Sequence, residues 1–211
     1  MADGIQWLMD LDRWDTDIMF ARGIPPAELA TRMGAAPGSA LPPITEADVW
    51  EAAPGTSQPH GADSAGLIRV GRSGDWSFAV EYGDCEGSRR VDEVSRDGVE
   101  AVHLAAQPDH PPKVFTYGYG GKPLCSFGIG EESWRWGERP ELLVAELTAA
   151  GVLEPGGSES ALRDDVPHQE RDRRTLAVVE TYFGLSLPWE LVIVGRLPAY
   201  ALRRDTDHFG R

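Results

Sequence analysis

Lysine is nearly missing from this chain: Lys113 and Lys122 are the only two in 211 residues, and 20 basic side chains against 34 acidic ones leave a formal net charge of −14. A nucleic-acid backbone is repelled by such a field unless a local basic patch overrides it, and the arginines at 171, 173 and 174 alternate with Glu170 and Asp172. Nucleic-acid binding is therefore not expected, whereas a basic protein partner suits the charge. Cysteine is scarce as well, with Cys85 and Cys125 in no C-x-x-C spacing, which excludes a disulfide framework and a zinc ribbon and points to reduced thiols in a cytoplasm. No apolar run approaches the roughly 18 residues of a membrane span, and the start MADGIQWLMDLDR carries no basic leader region. The expectation is a soluble cytoplasmic protein without membrane contact. Arginine, alanine, glycine and proline are abundant instead, a bias of GC-rich coding rather than of function.

Catalytic signatures are also missing. There is no G-x-S-x-G, no H-E-x-x-H and no paired Cys/His spacing among the histidines at 60, 103, 110, 168 and 208. The run LMDLDRWDTDIMF holds Asp10, Asp12, Asp15 and Asp17. Its D-x-D superficially matches the opening of haloacid-dehalogenase-type phosphatases, but Trp14 stands where that motif wants Thr or Val. On neither a helix nor a strand do all four carboxylates share a face, so they read as solvated charges that stay apart. YGYGGK (117–122) lacks the G-K-[ST] ending of a phosphate loop and reads as a hairpin turn. His103 alternates with Val102 and Leu104 and faces away from them; pairing it with Cys85 would make a nucleophile and base, but a hydrogen-bonded strand histidine is the simpler account. No catalytic residue, metal or cofactor is expected.

What the chain does carry is a pattern of aromatic, glycine and apolar residues. IPPAELATRMG (24–34) predicts a short helix with proline in its first turn and Gly34 at its stop, and Thr45 with Asp48 has capping-box spacing before a second. Between and after these lie a Pro/Gly connector and an exposed loop over 54–66. GLIRVGR and DWSFAVEYG predict a hairpin across Ser73–Gly74, with Trp76, Phe78 and Val80 on one face and Ser77 and Glu81 on the other. VEAVHLAA (99–106) predicts a third strand. KVFTYGYGGKPLCSFGIG predicts two more, presenting Phe115, Tyr117 and Tyr119, then Cys125, Phe127 and Ile129. EESWRWGER (131–139) reads as a loop in which Trp134, Arg135 and Trp136 are the best interaction candidates, because exposed Trp and Arg dominate binding hot spots. Pro140 and Gly151 bracket a helix, and a further helix ends near Gly184 with a short one from Pro188. The fold class expected is α+β: a mainly antiparallel sheet of five or six strands with helices on one face. Three parts follow from this reading: an α+β core over 1–153, a polar linker over 154–172 and a C-terminal helical segment over 173–211.

Several of these stretches together resemble the DUF6461 family of uncharacterised actinobacterial proteins: FARGIPPAELATRMGA, VGRSGDWSFAVEYG, SRDGVEAVHLA, FTYGYGGKPLCSFGIGEESWRWG, PELLVAELTAAGV and TLAVVETYFGLSLPWELV. The resemblance implies the fold and a bacterial origin and brings no activity with it. Its most recognisable positions here, Arg22-Gly23, Gly34, Trp76 and Phe78, are turn, stop and packing residues. GLSLPWEL is also similar to the G-x-x-LP turn of Smi1/Knr4-like immunity proteins, over a very short stretch. The function expected is a non-enzymatic protein-binding or accessory role, of which an immunity- or antitoxin-like protein is one form. The alternative is a small-ligand protein or enzyme with a pocket between sheet and helices lined by Tyr117, Tyr119, Trp76 or His103. A deep polar cavity would favour the second, a filled interior with exposed Trp134 and Trp136 the first.

Overall fold

The computed structural model describes residues 3–11, 14–51, 64–83, 87–107, 111–162 and 165–203. Asp12, Cys85, His60, His110, His208 and most of the loop expected at 54–66 lie outside the described residues. In chain order the elements are β1 (Ile18–Arg22), α1 (Pro26–Arg32), β2 (Ala35–Ile44), α2 (Glu46–Glu51), β3 (Ser64–Ser73), β4 (Trp76–Gly83), α3 (Gly87–Ser95), β5 (Glu100–Ala105), β6 (Val114–Tyr119), β7 (Lys122–Gly128), β8 (Glu131–Trp136), α4 (Val144–Ala149), α5 (His168–Phe183), α6 (Trp189–Ile193) and β9 (Leu197–Arg203), after a 3-10 turn at Gln6–Asp10.

All the strands join one nine-stranded sheet in the order β2-β9-β3-β4-β1-β5-β6-β7-β8, and every neighbouring pair is antiparallel. The α+β class holds, but the five or six strands expected become nine. Each strand that sequence reading passed over hides its period for a physical reason. β1 is buried on both faces, so IMFA is a continuous apolar run without alternation. β2 carries Pro37, Gly38, Pro42 and Pro43 and looks like a connector. The 131–139 stretch, taken for a loop, is the charged edge strand β8. The C-terminal segment, taken as helical, ends in β9, which inserts between β2 and β3.

Helices cover both faces rather than one. Alternation along β1 sends Met19 and Ala21 to a core shared with Leu29, Ala30 and Met33 of α1 and Val91 and Val94 of α3. Ile18 and Phe20 point the other way, into a larger core with Trp76, Phe115, Tyr117, Phe127 and Leu176, Val179 and Phe183 of α5. There Phe115 stacks on Phe127 at 4.7 Å, and Tyr117 lies tilted against Phe183 at 4.8 Å. α3 escaped the sequence reading because GSRRVDEVS is mostly polar, its apolar Val91 and Val94 only three apart.

The same core holds one buried cation. Arg69, in the middle of β3, is fully buried, and its guanidinium donates to the Val192 and Gly195 carbonyls and the Tyr82 hydroxyl, each at 2.9 Å, and to the Ile44 carbonyl at 3.2 Å. It therefore holds the end of α6 and the end of β2 against the sheet.

Candidate functional site

Three ionisable side chains meet beneath α3. Asp17, just before β1, lies opposite Glu81 of β4, whose backbone N–H donates to the Asp17 carbonyl at 2.9 Å. His103 of β5 lies opposite Met19. All three side chains project from the face that α1 and α3 cover. His103 Nε2 lies 3.3 Å from Asp17 Oδ2 and 3.7 Å from Glu81 Oε1. The remaining carboxylate oxygens are anchored by the backbone: Asp17 Oδ1 accepts from the Ala106 N–H at 2.9 Å and Glu81 Oε2 from the Gly87 N–H at 3.0 Å.

Gly87, the first residue of α3, sits so close that a Cβ there would lie 2.1 Å from Glu81 Oε1 and 2.5 Å from His103 Nε2. No larger residue fits without displacing the cluster. Burial disfavours a charged imidazole, yet hydrogen bonding to and the charge of Asp17 and Glu81 outweigh it and raise the His103 pKa to about 9. The two carboxylates thus hold the proton on His103 more tightly than water holds it on a free imidazole.

This arrangement corrects the expectation that the aspartates of LMDLDRWDTDIMF stay solvated and apart. Asp10 and Asp15 do lie at the surface, Asp10 paired with Arg173 at 2.7 Å. Asp17, however, is buried. Geometry within the run could not disclose this, because its partners arrive by strand pairing from 64 and 86 positions away. Part of the signal was available: Glu81 and His103 both occupy the non-aromatic face of otherwise apolar strands, and a charge at such a position needs a partner.

The second feature is the outer strand of the sheet. Trp136 lies opposite Ser126 and Arg135 opposite Phe127, so the tryptophans and the arginine take opposite faces. Trp134 is 79% exposed and Trp136 50%. Arg135 is turned inward, donating to the Glu132 and Gly157 carbonyls at 2.8 and 2.7 Å and to the Glu141 carboxylate at 3.1 Å. Tyr117 is buried and donates its hydroxyl to Glu100 Oε1 at 3.1 Å, while Tyr119 is exposed at the hairpin tip. The five residues singled out from sequence thus divide: Trp134, Trp136 and Tyr119 face solvent, whereas Arg135 and Tyr117 hold the fold together. Glu132 is buried against α5, accepting from Gly130 N–H and Thr175 Oγ1, and burial pushes its pKa up.

A model for a family of unknown function, DUF6461, matches residues 15–193. The chain belongs to the DUF6461 family. The matched span of this DUF6461 chain contains the Asp17–Glu81–His103 cluster and the whole of β8, and stops short of β9. Among curated proteins and solved structures, none matches the chain.

An open cleft of about 580 Å³ lies where β5 ends and β6 begins, against the start of α5, lined by Trp14, Gln107, Lys113, His168 and Asp172 among others. Lys113 Nζ pairs with Asp172 Oδ2 at 2.9 Å. The alternative reading from sequence is a pocket between sheet and helices lined by Tyr117, Tyr119, Trp76 or His103, none of which lines this cleft. Trp76, Tyr117 and His103 are all buried in the two packed layers, and no described helix is long and apolar enough to cross a membrane.

Proposed function

We propose that this DUF6461 protein is a binding module for a basic protein segment, recognised along the β8 edge, with an immunity- or antitoxin-like role as one form of that activity. The observation that carries the reading is the contrast between the sheet's two ends. β2 is blunted by prolines and by two breaks in its pairing with β9, the usual protection of an edge strand. β8 has a single break in its pairing with β7, no proline, no strand beyond it among the described residues, and two exposed tryptophans on one face.

An edge of this kind accepts an added strand, with affinity from main-chain hydrogen bonds and specificity from alternate side chains. The rim supplies the charge preference. Glu131 at the start of β8 is exposed, as are Glu138 and Glu141 just after it, Glu138 paired with Lys122 and Glu141 with Arg135, and indole faces attract Arg and Lys side chains. The competing reading, a small-ligand protein or enzyme, rests on the Lys113–Asp172 cleft.

Affinity capture from the native host tests the proposal. Wild-type protein is expected to retain a basic partner that salt elutes, and Trp134→Ala with Trp136→Ala to lower the yield at least about tenfold at unchanged melting temperature. Equal capture by both would remove the tryptophans from the interface.

A further inference from the structure

We propose that Asp17, Glu81 and His103 form a binding site for a divalent first-row transition ion, zinc or a chemical relative, that pins β1, β4 and β5 to the start of α3. Three inward-facing donor atoms converge: Asp17 Oδ2, Glu81 Oε1 and His103 Nε2, all within 4.8 Å of one another. The outer oxygen of each carboxylate is already held by a backbone N–H. Ligating carboxylates carry outer hydrogen bonds of this kind, which orient the other oxygen toward the ion.

The separations discriminate between a metal and a plain ion triad. A charged N–H···O⁻ contact closes to about 2.7–2.9 Å, but here Nε2 stays 3.3 and 3.7 Å from its two carboxylate neighbours. His103 is 1% exposed, and the polar side chains facing its Nε2 are these two carboxylates. Metal–ligand bonds of about 2.0–2.2 Å at tetrahedral angles set donor atoms about 3.3–3.6 Å apart, close to what is found.

Imidazole with carboxylate oxygen suits zinc, iron or manganese; a hard all-oxygen cage for calcium or magnesium would not use the histidine. With Glu81 and His103 both 1% exposed, the ion's role is structural. The inference is independent of the β8 edge.

The test uses the full chain without an affinity tag, stripped by a chelator and then titrated with Co²⁺ followed by Zn²⁺. One equivalent of Co²⁺ is expected to bind with tetrahedral visible absorption, to shift the NMR signals of the His103 ring, and to be displaced by Zn²⁺ with a rise in melting temperature. Asp17→Asn and Glu81→Gln, which keep the backbone hydrogen bonds, should weaken binding at least about tenfold, while Asp10→Asn leaves it unchanged. The ring signals are read in the wild-type protein, so the result stands even if a variant misfolds. No saturable Co²⁺ binding by the folded wild type, ring shifts confined to other histidines, or binding that survives both substitutions would overturn the proposal.

Discussion

Arg69→Leu is expected to cost about 3–5 kcal/mol of folding stability, read as a lowered urea midpoint. The substitution fills similar space with apolar atoms, so packing loss is the smaller part. The larger part is that the Val192 carbonyl and the Tyr82 hydroxyl lose their donor in the core, and the Ile44 and Gly195 carbonyls lose theirs at its margin. Two of those carbonyls close the end of α6, where a cation also meets the negative end of the helix. A domain with a typical margin of about 5–15 kcal/mol would be left near its unfolding limit. Arg69→Lys should fall between, because one ammonium cannot reach four acceptors in a planar fan. A loss below about 1 kcal/mol for Arg69→Leu would mean that α6 and β2 are held by other contacts.

Asp17→Ala should separate sharply from Asp10→Ala, although the two carboxylates stand in one short run. With metal removed by chelator, Asp17→Ala is expected to cost about 3 kcal/mol, since the Ala106 N–H is orphaned and His103 loses half of its counter-charge in a buried site. Asp10 lies at the surface against Arg173, and its removal should leave the thermal midpoint where it was. Paired melting curves decide the matter. Equal behaviour of the two variants would show that the buried cluster is not a stabilising unit.

Much of the fold was legible where local chemistry decides it. Thr45 and Asp48 do cap α2 reciprocally, at 2.8 and 3.1 Å. Gly184 ends α5 in the left-handed conformation, and Pro188 precedes α6. Phe115, Tyr117, Cys125, Phe127 and Ile129 share one core, as their odd numbering predicted. The expected helix between Pro140 and Gly151 is shorter, with α4 confined to Val144–Ala149.

What escaped was long-range. β2 and β9 gain their strand character from pairing with each other, which outweighs the proline content of one and the helical context of the other. β8 is hidden by its charges, so that Trp134 and Trp136 read as interaction candidates in a loop, and neither their exposure nor their place on a sheet edge follows from the local sequence. The Asp17 cluster had the same obstacle: each member occupies the polar side of its own strand, but only the order β4-β1-β5 brings the three together.

Site-specific photocrosslinking in cells of the native host addresses the edge most directly. A photoreactive residue replaces Trp134 in one variant and Val194, an exposed position away from the sheet edge, in another. The expected result is a discrete adduct with a basic protein from position 134 and none from position 194. No adduct at 134, or the same adducts from both positions, would contradict recognition along β8.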